Sequence, residues 1–233
     1  MTSSIAENLA NVERRIDEAA ARAGRDASEI KLVAVSKMHP SATLREAIAA
    51  GVRVFGENKV QEGESKVIEI GRDAAEWHLI GHLQSNKARK AVQFFDFIHS
   101  LDSVDLAERL ERICAEESRE SLPVLMQIDL AGESTKSGIP EAEASDLVTF
   151  LAGCRHLKFE GLMVLPPFFD DPEATRPYFR RLREIRDKLI PKGHLSMGMS
   201  HDFEVAIEEG ATLVRVGTAI FGERGHADAP MAA

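Results

Sequence analysis

Lys37 ends the short apolar run Val33-Ala34-Val35-Ser36. Side chains alternate along a strand, so Val33, Val35 and Lys37 share one face, and Leu32, Ala34 and Ser36 share the other. If the valine face points into an apolar core, desolvation disfavours the ammonium form of the lysine above it. A neutral amine is what imine formation with an aldehyde requires. The plainer reading is a strand-exit lysine that reaches into solvent. A second constellation lies in Leu213-Val214-Arg215-Val216-Gly217-Thr218. Gly217 lets a backbone come close to a ligand, and Thr218 can cap a short turn and offer its hydroxyl. N–H groups at such a turn bind anions. Ser200, at the end of the preceding apolar run, adds another hydroxyl. Arg215 shares a face with Leu213 and Gly217 and is expected to point inward beneath a ligand. The structural alternative makes Arg215 an ion-pair partner and Gly217 a plain turn.

Other constellations carry less chemistry. His78 and His82 are four apart but straddle a strand end, so they are not expected to converge on a metal. Cys114 lies among helical apolar residues and reads as core, and Cys154 has no base pattern beside it. Asp129 and Glu133 read as a loop ion-pair group with Lys136 rather than an acid–base pair. Lys87-Ala88-Arg89-Lys90 reads as a solvated helix face.

These residues need a frame that brings strand ends together. Eight apolar runs read as strands: Lys31–Ser36, Val52–Phe55, Trp77–Ile80, Phe97–His99, Pro123–Asp129, Phe159–Leu165, Leu195–Met199 and Leu213–Val216. An amphipathic helical pattern follows each of the first seven, from Leu44–Ala50 to Phe203–Glu208. Repeated strand–helix units imply parallel strands with right-handed crossovers. The expectation is a single α/β (β/α)8 TIM barrel, which places its site at the C-terminal strand ends. A doubly wound sheet is the competitor, weakened by the lack of a strand–Gly-x-Gly-x-x-Gly–helix unit. An extra N-terminal helix is expected from a capping box at Ser4 to Glu7 and the stripe Ile5, Leu9, Val12, Ile16 and Ala19. The barrel is assigned to residues 1–224, and residues 225–233 to a flexible tail.

Composition narrows the classes. The 233 residues carry 29 Lys and Arg against 38 Asp and Glu, a formal charge of −9 with no basic block, which argues against a nucleic-acid partner. No apolar run reaches the ~18 residues of a membrane span, and no signal peptide is legible. Two cysteines do not make a disulfide framework, so a reducing cytoplasm is expected. A lone barrel with a polar outer face is expected to be a monomer.

An imine-forming lysine and a phosphate cradle on one rim fit two ligands. One is pyridoxal phosphate; the other is a phosphosugar handled by an imine-forming aldolase. At this point the sequence resembles the pyridoxal phosphate homeostasis proteins. The resemblance rests on Val33-Ala34-Val35-Ser36-Lys37, Phe55-Gly56-Glu57-Asn58-Lys59-Val60-Gln61-Glu62, Trp77-His78-Leu79-Ile80-Gly81-His82-Leu83-Gln84-Ser85-Asn86-Lys87, Gly132 to Gly138, Gly161-Leu162-Met163, Ser196 to Phe203 and Arg215 to Gly222. It runs in order from Ile5 to Gly222. It implies a barrel similar to the N-terminal domain of alanine racemase, with pyridoxal phosphate held on Lys37 through a Schiff base. It further implies Arg215 facing the pyridine nitrogen, Ser200, Gly217 and Thr218 on the phosphate, Asn58 along the ring, and His82 and Met163 lining the pocket. Asp129 stands where the resemblance leads one to expect Asn, and Leu79 is a conservative change.

The resemblance implies binding without robust catalysis. An arginine opposite the pyridine nitrogen keeps that nitrogen unprotonated, so the ring is a poorer electron sink than one paired with a carboxylate. The segment Lys37-Met38-His39-Pro40 lacks the tyrosine that follows the lysine in the racemases. The chain's one tyrosine, Tyr178, falls in an outer helix, and the racemases' second domain is not legible. The expected role is vitamin B6 homeostasis, buffering the cofactor or delivering it to apo-enzymes. Weak racemisation and an imine-forming aldolase are the alternatives. Lys136 and Lys59 are the other lysines considered for the aldehyde.

Overall fold

Val33, Val54, Phe97, Leu125, Met163 and Leu213, from six different strands, and Ile80, at the exit of a seventh, form one buried cluster, with Val35 and Leu165 packed on it. This cluster is the inside of a closed sheet. The computed structural model describes residues 3–132 and 137–222. The strands are β1 (Lys31–Val35), β2 (Val54–Glu57), β3 (Glu76–Leu79), β4 (Phe97–Leu101), β5 (Leu122–Asp129), β6 (Ile139–Pro140), β7 (Leu157–Met163), β8 (His194–Met199) and β9 (Leu213–Val216). They pair in the order β4-β3-β2-β1-β9-β8-β7-β5, all parallel, and β4 pairs with β5 to close an eight-stranded barrel. The two-residue β6, which the sequence pattern does not reveal, adds to the end of β5. The register Val33↔Arg215 between β1 and β9 brings the first and last strands side by side. Lys37 and Thr218, far apart in sequence, therefore leave adjacent strands at the same rim.

Helices α1 (Ile5–Arg22), α2 (Ser41–Ala50), α3 (Val60–Ile70), α4 (Ala88–Phe94), α5 (Val104–Glu116), α6 (Ala144–Ala152), α7 (Arg176–Leu189), α8 (Phe203–Glu208) and α9 (Thr218–Phe221) surround the sheet. The other face of the strands packs against them, with Phe55 and Trp77 stacked at 5.4 Å between barrel and helices. Three helical patterns, Asn86–Gln93, Glu141–Leu151 and Glu173–Leu189, begin instead in 3-10 turns: Ser85–Lys87 before α4, Glu141–Glu143 before α6 and Pro172–Thr175 before α7.

The N-terminal helix forms as its capping box predicts, with Ser4 and Glu7 exchanging hydrogen bonds. Its stripe of Leu9, Val12, Ile16 and Ala19 is buried. α1 packs on α8, α9 and α2, covering the seam between the first and last barrel units. Arg15 pairs with Glu204 at 3.1 Å, and Arg25 donates to the carbonyls of Ile207 and Ala211. Asn8 Nδ2 donates to the Ile220 carbonyl at 2.9 Å and so ties α1 to the short helix at the rim. The tail expected at residues 225–233 lies outside the described residues. No helix among the described residues is long and apolar enough to cross a membrane.

Candidate functional site

A cavity of about 510 Å³ opens at the C-terminal ends of the barrel strands. Lys37, Asn58, His82, Ser200, Arg215, Gly217 and Thr218 all line it. Met163, expected in the lining, is instead fully buried in the barrel cluster beside Ile80 and Leu165, which do reach the cavity. The cause is strand length: β7 ends at Met163, and the next residues carry the chain to the rim.

The valine face of β1 points inward, as alternation requires, and Lys37 emerges above it. Lys37 is half-buried at the rim, so its desolvation is partial. The backbone around it is held from behind. Lys66, buried on α3, donates at 2.7 Å to the Ser36 carbonyl, to Glu57 Oε1 and to Glu62 Oε1. The Ser36 hydroxyl donates to the same Glu57 oxygen at 2.5 Å, and the Met38 N–H donates to Glu62 Oε1. Met38 has φ 65°, a left-handed conformation uncommon for a residue with a side chain. The residues on both sides of Lys37 are thereby fixed. Burial pushes the Glu57 carboxyl up, with the Lys66 charge opposing it, and Glu57 Oε2 has no partner. Nothing in the apolar pattern announces Lys66 as buried. The only trace is the i, i+4 spacing from Glu62.

Two glycines sit where neighbouring backbone comes close, and at Gly81 the approach dictates the residue. A Cβ on Gly81 would come within 2.2 Å of the Asn58 carbonyl oxygen, so the β3 exit can pass the β2 exit only as glycine. A Cβ on Gly217 would meet the Val35 carbonyl at 3.1 Å. The Gly217 and Ala219 N–H groups, expected to be open to an anion, donate to Ser200 Oγ at 3.1 and 3.4 Å. Ser200 thus shapes the turn and keeps its own proton available, and Thr218 is exposed at the mouth.

Arg215 is buried beneath the cavity. It donates to Ser196 Oγ at 2.7 Å and to the Val164 carbonyl at 2.9 Å, so the expected alternative of a structural ion pair does not hold for these bonds. Burial pushes its guanidinium down to about 10, against the pull of Asp202. A guanidinium has five N–H donors, which leaves donors for a ligand. Behind Ser196 lie two fully buried histidines. Ser196 Oγ is 3.0 Å from His99 Nδ1, and His99 Nε2 is 2.9 Å from His78 Nδ1. His99, the last residue of the expected strand Phe97–His99, is not at the rim: β4 continues to Leu101, and His99 shares the inward face of Phe97. Desolvation holds both imidazoles below the ordinary range.

His82 turns away from His78 and contacts Asp102 Oδ2 through Nδ1 at 3.1 Å. No metal-binding group is present among the described residues. Burial pushes both Cys114 and Cys154 up to about 11, so neither thiol is activated. Asp129 Oδ1 accepts from the Ala131 and Gly132 N–H groups, while Glu133 and Lys136 lie outside the described residues. Arg89 pairs with Glu116 and Glu117, and Lys90 with Glu64, as expected of a solvated face. Tyr178 lines a separate cleft with Asp129 and Arg181.

A half-buried amine, a buried cation with spare donors and two hydroxyls thus share one cavity. That set fits an aldehyde-bearing aromatic phosphate: Arg215 can hold only an acceptor, which an unprotonated pyridine nitrogen supplies. Residues 8–225 match the family described as alanine racemase, N-terminal domain. The pyridoxal phosphate homeostasis protein of Aquifex aeolicus is 44% identical over 223 residues, 94% of this chain and 97% of that one. The protein of the same name from Escherichia coli K12 is 42% identical over 232 residues, 95% and 97%. The structure of PipY from Synechococcus elongatus with PLP bound superposes with a TM-score of 0.81 at 41% identity, covering 94% of this chain and all of that one. With the barrel, its ordered motifs and these likenesses in agreement, the chain belongs to the pyridoxal phosphate homeostasis protein family, built on the alanine racemase N-terminal fold.

Proposed function

We propose that this protein binds pyridoxal 5'-phosphate and serves intracellular vitamin B6 homeostasis, buffering the cofactor or delivering it to apo-enzymes, as a cytoplasmic monomer without robust catalysis. The observation that carries the reading is the presence of Lys37 and Arg215 on one cavity, with Ser200 and Thr218 at its edge. Lys37 Nζ would hold the aldehyde reversibly, and water or another amine could release it. Arg215 would donate to the pyridine nitrogen. Asn58 and His82 would flank the ring, Ser200 and Thr218 would hold the phosphate through their hydroxyls, and Gly217, whose N–H is given to Ser200, would let it come close. Bound pyridoxal phosphate supplies an exchangeable aldehyde and a conjugated ring.

The same residues disfavour racemisation. A cation against the ring nitrogen opposes its protonation, which weakens electron withdrawal. Racemisation also needs a base on each face of the substrate carbon. Tyr178 lies in another cleft, and the His39 ring, two residues after Lys37, packs on Phe221 at 4.8 Å. The test is α-proton exchange in deuterium oxide after adding amino acids to the loaded protein. The carrier reading expects slow exchange. Fast exchange supports the racemase alternative, and a chain that takes up no B6 chromophore supports the phosphosugar aldolase.

A further inference from the structure

A row of polar side chains crosses the inside of the barrel from the cavity to the opposite mouth. It begins at Arg215 and passes through Ser196, His99 and His78. It ends at Glu76, whose Oε1 is 2.8 Å from His78 Nε2. Ser196, His99 and His78 are fully buried, while Glu76 is partly exposed and pairs with Lys31 at 3.1 Å. Alternation explains the geometry. Lys31, Val33, Val35 and Lys37 share the inner face of β1, and Glu76, His78 and Ile80 share that of β3. Each strand therefore presents one charged group at the lower mouth, and β1 adds Lys37 at the upper rim.

The proton order in this row follows from its ends. A guanidinium only donates and an ionised carboxylate only accepts. Glu76 is ionised at neutral pH, because the hydrogen bond from His78, with Lys31 assisting, holds its carboxyl down at about 2. His78 must then donate from Nε2 and accept at Nδ1. His99 must donate from Nε2 to His78 and accept at Nδ1, so Ser196 must donate its hydroxyl proton to His99. Its oxygen then accepts from Arg215. All four bonds point one way, both imidazoles are neutral, and no donor faces another donor.

We propose that Ser196, His99 and His78 are positioning residues for Arg215: a proton-ordered chain that holds the guanidinium under the cofactor ring and links its charge to the Glu76 carboxylate at the far mouth of the barrel. This rests on the pyridoxal phosphate reading for the ring, but not for the chain itself. A buried guanidinium with no carboxylate hydrogen-bonded to it needs a fixed polar surround. The row supplies it while leaving the upper N–H donors open to the cavity. A carboxylate directly on Arg215 would compete with the ligand for those donors.

Nuclear magnetic resonance of ligand-free protein with nitrogen-15 histidine reads the proton positions in the wild type. The expected result is neutral His78 and His99, each protonated at Nε2. A proton on Nδ1 of either ring, or a doubly protonated ring, overturns the chain whether or not the protein binds pyridoxal phosphate. Ser196→Ala and His99→Phe are then loaded with pyridoxal phosphate. Each is expected to bind it roughly tenfold more weakly, the scale of a lost hydrogen bond to a charged group, and to displace the absorbance band of the Lys37 adduct. His99→Gln, which keeps one acceptor and one donor, is expected to restore both. Unchanged affinity and band position in Ser196→Ala and His99→Phe overturn the positioning role. A wild type that takes up no pyridoxal phosphate refutes the binding reading instead, and the resonance experiment alone then decides the chain.

Discussion

Lys66 Nζ lies 2.7 Å from the carbonyl oxygen of Ser36, the residue just before Lys37. The cation behind the strand exit holds the backbone from which the reactive amine projects. It does so while neutralising Glu57, which is fully buried. The rim lysine therefore inherits its position from a second lysine that never reaches the cavity.

Removing Lys66 should be costly. Lys66→Met leaves the Glu57 carboxylate buried without its cation, and breaking such a pair costs about 3–5 kcal/mol. Urea denaturation at neutral pH measures it. Adding Glu57→Gln should recover a large part of the loss, because the stranded charge is gone. Equal stability of Lys66→Met and the wild type would contradict the account of the strand exit.

The phosphate end should respond to hydroxyl loss. Ser200→Ala and Thr218→Val should each weaken pyridoxal phosphate binding by about 1–3 kcal/mol, as for hydrogen bonds to a charged group. Ser200→Ala carries a second effect, because Gly217 and Ala219 lose their shared acceptor. Fluorescence titration distinguishes these outcomes. Unaltered affinity in both variants would place the phosphate elsewhere.

Gly81→Ala should disturb the cavity without touching the ligand. The added methyl would collide with the Asn58 backbone at 2.2 Å, so the β2 exit must shift. The expected result is a weaker complex and a lower melting temperature. A variant with wild-type affinity and melting temperature would show that the Asn58 segment yields freely.

Acid should destabilise the protein in two steps. His78 and His99 are buried and resist protonation, so their folded values lie below the ordinary 6.5. As pH falls through that value the unfolded chain takes up protons that the native state refuses, and stability drops. The Glu76 carboxyl, held at about 2 against the usual 4.5, repeats this lower down: the unfolded state protonates first, and stability falls again between those values. Urea melts from neutral to acid pH should show declining stability, with a shallower slope above pH 5 in His99→Gln, which removes one titrating group. Identical slopes would mean that His99 is charged in the native state.

The barrel and most of its rim were legible in the sequence because alternation on a strand is a strong rule. Val33, Val35 and Lys37 had to share a face, as did Leu213 and Arg215, and parallel strand–helix repeats had to bring their ends together. The interior polar row was not legible. Ser196 is one small polar residue in a strand, and His99 closes the apolar run Phe97–His99, whose pattern places a strand end there. Its extension to Leu101 depends on pairing with β5, which local pattern does not encode. Lys66 was hidden for the opposite reason: a lysine among helical glutamates has the pattern of a solvated face, and only the packing of α3 on β2 buries it. Met163 was misplaced by the point at which its strand ends.

The most direct test of the central claim is the absorbance spectrum of the purified protein loaded with pyridoxal phosphate, before and after borohydride, followed by peptide mapping. The account predicts an imine band that borohydride abolishes, an adduct mapped to Lys37, and neither in Lys37→Ala. An imine band that persists unchanged in Lys37→Ala, or an adduct on Lys59 or Lys136 in its place, would contradict it.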